Sequence, residues 1–92
     1  MALSKEDAIE KARRDLAKRL GVSEGEIKEE AVESADFPDM ALGAPVEDEM
    51  SGQMMTSGWR IRLSASGKGG YEYRADKNQV RLYNYKGSNY KI

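Results

Sequence analysis

The stretch FPDMALGAPVEDEM, residues 37–50, contains both prolines of the chain and has the composition of a protein-binding loop. Each proline fixes its own φ and keeps the residue before it extended, and Gly43 permits a turn that other residues resist. An extended, partly pre-organised segment loses little entropy when it enters a cleft, as a protease substrate does. Met40 and Leu42 would then be offered to a pocket. The alternative is that Phe37, Met40 and Leu42 close the open end of the core.

Tyrosines and cations in the last third of the chain make a second candidate surface. Aromatic rings on a sheet can stack single-stranded bases while neighbouring cations contact phosphates. The candidate nucleic-acid residues are Arg74, Arg81, Tyr83 and Tyr85. The pI of about 5.5 argues against this use, because nucleic-acid-binding domains are usually basic. Tyrosine is also a favoured strand residue, so the same pattern fits an ordinary sheet.

The residue types needed for most enzyme chemistry are missing. The chain has no His and no Cys, which removes the usual proton-transfer group near neutral pH, thiolate nucleophiles, disulfides and sulfur-based zinc sites. The acids Glu47, Asp48 and Glu49, together with Asp39, do not have the spacing of an EF-hand calcium loop. We therefore predict a chain that is not an enzyme and has no cofactor and no metal site.

Size and composition predict one domain, residues 1–92, of the soluble globular class. The apolar fraction is 39% and the charged fraction 34%, and no apolar run approaches the length of a membrane span, so no membrane insertion is expected. The first residues, MALSKEDAIEKARRDLAKRL, interleave acids and bases and do not resemble a signal peptide. The expected location is cytosolic, or secreted or periplasmic in a mature form whose leader has been removed.

Charge is distributed unevenly along the chain although the net charge is −1. Residues 23–50 contain ten acids and one base, whereas residues 57–92 contain eight bases and two acids. Acidic and basic segments could lie beside each other and neutralise. Alternatively, they could form faces of opposite sign, one of which meets a partner.

An amphipathic helix is predicted over about residues 4–20. Ser4 followed by Asp7 is a helix-capping pattern, and Gly21 is a typical left-handed helix end. Apolar residues at three- and four-residue spacing form one stripe: Ile9, Ala12, Leu16 and Leu20.

Strands are predicted for most of the remaining chain. The segment EIKEEAVESADF has apolar residues at odd positions and predicts an edge strand over about 28–37, followed by a long loop, 38–56. The segments WRIRLSA, YEYRA and QVRLYNY predict hairpins over about 57–85, with SGKGG as the first turn. The polar tail, 86–92, is expected to fray. The predicted fold is α+β, with one N-terminal amphipathic helix packed on a three- to four-stranded antiparallel meander.

Three methionines in MSGQMM, residues 50–55, come just before the strand that begins near Trp59. Methionine adapts to irregular surfaces, so it can serve at promiscuous interfaces or fill gaps under a long loop. The sequence leaves both interpretations open.

The chain resembles a family of small prokaryotic proteins in the order of its segments, which are a helix, GVSEGEI, an acidic strand, FPDMALGAP, GWRIRL and YEYRAD. Their pattern is aromatic-Pro-Asp, two residues, then Leu-Gly-Cys-Pro, followed by Gly-aromatic-Arg-Ile and Tyr-Glu-Tyr strands, and the likeness covers about residues 4–83. These proteins look like the PepSY and cystatin-like grouping, for which peptidase inhibition or regulation has been proposed. Ala44 stands where the pattern has Cys. The resemblance implies that such a Cys could pair near the end of the last strand, where this chain has Tyr83.

The function predicted from these features is a non-catalytic protein-binding module whose partner could be a peptidase and whose loop 38–50 is the contact. The candidate partner-binding residues are Phe37, Pro38, Asp39, Met40, Leu42, Gly43 and Pro45. The alternatives are single-stranded nucleic-acid binding through the basic tyrosine-rich surface, which the pI disfavours, and a structural domain without a separate site. The sequence makes no prediction of oligomeric state.

Overall fold

The computed structural model describes residues 2–47, 49–50, 52–65 and 68–92, with the backbone alone for Lys68. The elements in chain order are α1 (Lys5–Leu20), a short 3₁₀ helix (Glu24–Glu26), β1 (Ile27–Phe37), β2 (Thr56–Ala65), β3 (Lys68–Ala75), β4 (Val80–Tyr85) and β5 (Ser88–Lys91). The strands form one antiparallel sheet in the order β1-β2-β3-β4-β5. The predicted SGKGG turn between β2 and β3 includes Ser66 and Gly67, which lie outside the described residues.

The α+β class, with one N-terminal helix and an antiparallel meander, is confirmed, but the predicted number of three to four strands is wrong. The tail expected to fray forms β5, which pairs Lys91 with Arg81 and Tyr90 with Leu82. Lys86 and Gly87 join β4 to β5 with φ values of 53° and 86°. Positive φ at both central residues is the geometry of the tight hairpin turn that matches strand twist.

The helix begins and ends as its capping residues predict. The Ser4 hydroxyl accepts a hydrogen bond from the Asp7 backbone N–H, and the Ser4 backbone N–H donates to the Asp7 carboxylate, each at 3.1 Å. Gly21 follows the last turn with φ 68°. These contacts satisfy backbone groups that a helix end otherwise leaves unpaired.

The main core lies between α1 and one face of the sheet. Ala8, Ala12 and Leu16 are fully buried there. They pack with alternate residues of the central strands, namely Ile61, Leu63, Ala65, Tyr73, Ala75, Val80 and Leu82. Small alanines on the helix let it lie close to the larger side chains of the sheet.

A β-bulge changes which residues of β1 face the helix. Pairing with β2 shifts between Glu29 and Ala31, so Ile27 lies opposite Ala65 on the helix side. Beyond the bulge, the odd-numbered Phe37 lies opposite Thr56, on the other face of the sheet. The odd apolar positions of β1 are therefore divided between two faces, because a one-residue slip reverses side-chain direction.

Among the described residues, none of the helical segments combines the length and the apolar character that crossing a membrane requires.

Candidate functional site

The proline loop, residues 38–55, connects β1 to β2 and packs on the sheet face opposite α1, which we call the loop face. Cross-strand pairing brings Arg60, Arg74 and Arg81 side by side on this face. The loop buries its own apolar residues Ala41, Leu42 and Ala44 here, and Phe37 at the end of β1 is buried beside them. The first half of the loop is therefore part of a second, smaller core.

Asp39 organises the turn at the start of the proline loop. One oxygen of its carboxylate accepts hydrogen bonds from the backbone N–H groups of Ala41 and Gly43, both at 2.9 Å. Leu42 and Gly43 have φ values of 60° and 66°. A Cβ on Gly43 would lie 2.7 Å from the Nη1 atom of Arg74, so a larger residue there meets both backbone strain and a close contact. The Pro-Asp-x-x-Leu-Gly pattern is thus explained by loop folding.

Arginines of the sheet hold backbone carbonyl groups of the loop. The Nη1 atom of Arg74 donates to the carbonyl oxygens of Leu42 and Gly43 at 3.0 and 3.1 Å. The Nη1 atom of Arg81 donates to the carbonyl of Ala44 at 3.2 Å. A cationic donor satisfies a buried carbonyl more strongly than a neutral one does.

Two side-chain amides complete this set of contacts, one from the turn before β4 and one from β5. Gln79 donates its side-chain N–H to the Met40 carbonyl at 2.7 Å, and Asn89 of β5 donates to the Pro45 carbonyl at 2.8 Å. Side chains of the sheet and of this turn therefore hold the loop at Met40, Leu42, Gly43, Ala44 and Pro45. Sequence reasoning missed Gln79 and Asn89, because no local pattern distinguishes them from other polar residues.

The second half of the proline loop is held by an ion pair. Both terminal nitrogens of Arg81 donate to the Glu49 carboxylate, at 2.5 and 2.6 Å, and Arg81 is only 2% exposed. The hydrogen bonds from Arg81 lower the pKa of Glu49 to about 2, and an N–H of Val46 contributes, although burial opposes the shift. The acidic loop and the basic strands are therefore adjacent and neutralise each other at this point.

The four predicted nucleic-acid residues do not form one surface. Arg74, Arg81 and Tyr83 are on the loop face, where the Arg74 guanidinium stacks over the Tyr83 ring at 3.8 Å. Tyr85 lies on the helix side of the sheet, next to Tyr71 and Tyr90. Because both arginines donate to the loop, their guanidinium groups are directed into the protein.

The predicted partner-binding residues differ in what they leave accessible. Leu42 and Phe37 are buried, whereas Pro38 and Pro45 are exposed, and Met40 is 49% exposed. Asp39 and Gly43 are half-buried in the turn described above. Of the two side chains predicted to enter a partner's pocket, Met40 is accessible and Leu42 is not.

Met40 belongs to an exposed apolar groove that we call the methionine groove. Met54 and Met55 line it with Met40 and are 68% and 73% exposed, and half-buried Trp59 forms part of its wall. The turn from Asp76 to Gln79 forms the polar wall, and the groove has a volume of about 810 Å³. Met50 is 97% exposed but is not among the groove residues.

No group of three or more acidic residues in the described parts of the chain has the geometry to hold a metal ion. Asp48, one of the acids considered for calcium, lies outside the described residues.

The fold and the loop face define a small α+β domain in which a long loop is packed onto the sheet opposite α1. The chain belongs to the family described as "Domain of unknown function (DUF8738)", whose model matches residues 9–83. The match includes the helix from Ile9, β1 to β3, the proline loop and most of β4. Neither a curated protein nor a solved structure matches the chain.

Proposed function

We propose that this chain is a non-catalytic protein-binding module that receives an apolar side chain of a partner protein in the methionine groove. The observation that carries this proposal is the exposure of Met40, Met54 and Met55 around one groove beside Trp59. A contiguous exposed apolar surface on a small domain is costly in water and is typical of an interaction site.

The chemistry of methionine suits this use. Its unbranched, polarizable side chain adapts to partners of different shape and makes favourable contacts with aromatic rings. The polar turn of Asp76–Gln79 along the opposite wall gives the groove the apolar centre and polar rim that protein interfaces share. The proposed occupant is a segment of another protein with a large apolar or aromatic anchor residue.

The backbone beside the groove is held in place before any partner arrives. The Met40 N–H donates to the Gly52 carbonyl at 2.9 Å, and the Met40 carbonyl accepts from Gln79. A Cβ on Gly52 would lie 2.6 Å from the Met40 sulfur, so glycine leaves room for this side chain. A backbone fixed in advance reduces the entropy lost on binding, and the unbranched methionine side chains keep the surface adaptable.

The resemblance to PepSY and cystatin-like proteins makes peptidases the first class of partner to examine. In this version of the proposal, the contact is made by Met40 and the neighbouring methionines, because Leu42 would have to leave the core to enter a pocket. To test for a peptidase partner, the chain is incubated with serine, cysteine and metallo-peptidases. Residual peptidase activity and the intact mass of this chain are followed together. Saturable inhibition supports a peptidase partner, and rapid cleavage within residues 38–55 without inhibition contradicts it.

Methionine-methyl NMR provides the direct test of the groove. The protein is labelled with ¹³C at the methionine methyl groups, and peptides selected from a random display library against the folded chain are titrated in. We expect the methyl signals of Met40, Met54 and Met55 to shift together while that of Met50 stays constant. Equal shifts at Met50, or shifts at none of the four, would contradict binding in the groove.

Matched variants complete this test. Met54→Gln with Met55→Gln removes apolar surface from the groove, whereas Met50→Gln changes a methionine of greater exposure outside it. The double variant should weaken binding of the selected peptide by about tenfold or more, which corresponds to about 1.4 kcal/mol, and Met50→Gln should not. Light scattering of the free protein distinguishes a second copy of this chain as the occupant, since self-association would then be lost in the same variant.

A further inference from the structure

A cleft separate from the methionine groove combines aromatic rings with two cations, and we call it the tyrosine cleft. It lies between the end of α1, the start of β3 and the end of β4, has a volume of about 460 Å³, and is lined by Arg19, Tyr71, Leu82, Tyr85 and Lys86 among others. It shares no lining residue with the methionine groove. This volume is within the range of small-molecule sites.

Tyr71 and Tyr85 form an aromatic wall of the cleft, with ring centroids 6.2 Å apart and planes tilted by 38°. Tyr90 does not line the cleft, but its ring meets Tyr85 edge-on at 6.0 Å. These are favourable aromatic contacts, so the rings support one another. The lining rings offer apolar surface against which a planar group can lie.

Arg19 is fixed above this wall with donors to spare. Its guanidinium carbon is 4.4 Å from the Tyr90 ring centroid and 5.6 Å from that of Tyr85. Its Nε atom donates to Asp15 at 2.7 Å, and among the described residues Arg19 makes no other side-chain hydrogen bond. The two terminal nitrogens keep the paired donor geometry that suits a carboxylate or a phosphate.

The local charge favours an anion. The Lys86 ammonium is 5.4 Å from the centroid of the Tyr85 ring and the Arg19 guanidinium carbon is 5.6 Å from it, so two cations lie close to this ring. The described residues that line the cleft include no acid. Asp15, the acid behind Arg19, is already shared, because it also accepts a hydrogen bond from the Tyr73 hydroxyl at 2.8 Å.

We propose that the tyrosine cleft binds a small planar organic anion, with its carboxylate or phosphate paired to Arg19 and Lys86 and its flat part against Tyr71 and Tyr85. Charge-assisted bonds from a preformed guanidinium supply specificity, and the apolar rings exclude water from one side of the ligand. This site is independent of the proposed protein-binding function, since it uses other residues on another part of the surface.

Two probe pairs test the proposal by NMR titration and calorimetry. Adenosine 5′-monophosphate and 2-naphthoate are the planar anions, and adenosine and 2-naphthamide are their uncharged counterparts. At least one anion should bind saturably, about tenfold more tightly than its uncharged counterpart, and shift signals of Tyr71, Tyr85 and Arg19. Inorganic phosphate alone should bind more weakly than the monophosphate. Equal binding of charged and uncharged probes, or binding of neither anion, would overturn the proposal.

Two arginines of the same helix give a matched comparison. Arg14 pairs with Glu10 four residues before it, as Arg19 pairs with Asp15, but Arg14 is remote from the cleft. Arg19→Gln should weaken anion binding by about tenfold, while Arg14→Gln leaves it unchanged. Arg19→Lys keeps the charge but loses the paired donors of the guanidinium, so its affinity for the anion should lie between those of the other two variants. Residual binding by this variant separates the loss of donors from a folding defect. Loss of equal size in Arg14→Gln, or none in Arg19→Gln, would contradict the assignment.

Discussion

Arg81 and Glu49, 32 residues apart in sequence, form a bidentate ion pair that holds the proline loop against β4. Arg81 is almost wholly buried, and its remaining contacts are to the Ala44 carbonyl and to Gln79. A buried guanidinium without a counter-charge is strongly unfavourable. The position of the loop is therefore coupled to the stability of the whole domain.

Replacing Glu49 by Gln should destabilise the domain. The change removes the charge that compensates Arg81, and we expect the free energy of unfolding to fall by about 3 kcal/mol. For a domain of this size each kcal/mol corresponds to about 4–8 °C in Tm. Urea and thermal denaturation followed by circular dichroism measure the effect.

Glu47→Gln is the control, because Glu47 is an exposed acid of the same loop. It should change the free energy of unfolding by less than about 0.5 kcal/mol. Equal effects of the two substitutions would mean that net loop charge, and not the pair with Arg81, is responsible.

Stability should decrease at acid pH through the same carboxylate. The hydrogen bonds from Arg81 lower the pKa of Glu49 from 4.5 to about 2, so its contribution is fully present above about pH 4.5 and is lost as pH falls toward 2. Unfolding titrations between pH 5 and 2 should show a steeper loss of the free energy of unfolding for the wild type than for Glu49→Gln. Parallel curves would contradict the assigned role of Glu49.

Leu42 and Met40 should respond to truncation in opposite ways. Leu42 is fully buried, so Leu42→Ala should lower the free energy of unfolding by about 3 kcal/mol. Met40 is half-exposed, so Met40→Ala should cost about 0.5 kcal/mol or less and weaken binding of a groove ligand. Denaturation and peptide titration of both variants separate the two effects. A stability loss of equal size would make Met40 a core residue.

Gly58 should tolerate no side chain. A Cβ at this position would lie 2.0 Å from the backbone carbonyl oxygen of Ala75, which cannot move without disturbing the β2–β3 pairing. Gly58→Ala should therefore cost about 3 kcal/mol or more. Gly69→Ala is the matched change in a strand, since its nearest neighbour would be 3.8 Å away. Comparable stability of the two variants in urea would show that the strands separate easily at Gly58.

The parts of the fold that sequence could predict are those fixed by local chemistry. Ser4, Asp7 and Gly21 mark the helix ends because capping depends on neighbouring residues alone. Alternation in β2 likewise predicts the buried residues Ile61 and Leu63. The bulge between Glu29 and Ala31 was missed, because no glycine or proline marks it and only pairing with β2 reveals it.

The candidate site was harder to predict because it depends on contacts between distant segments. The sequence indicated that residues 37–50 form a loop of unusual chemistry and that acidic and basic segments could neutralise each other, but it did not indicate that Arg74 and Arg81 contact this loop. In the fold they hold the carbonyls of that loop. An alternating strand pattern predicts that an arginine points away from the core, but it does not predict what covers the opposite face of the sheet.

The contacts that hold the proline loop have a kinetic consequence. Pairings among β2, β3, β4 and β5 join residues close in sequence, whereas the Arg81–Glu49 pair and the β1–β2 pairing close long stretches of chain. We expect the Arg81–Glu49 pair to form late, after β4 has joined the sheet. An interaction absent from the transition state acts on the unfolding rate and leaves the folding rate unchanged. On this basis the docked loop is expected to set the lifetime of the folded chain more than the speed of its formation.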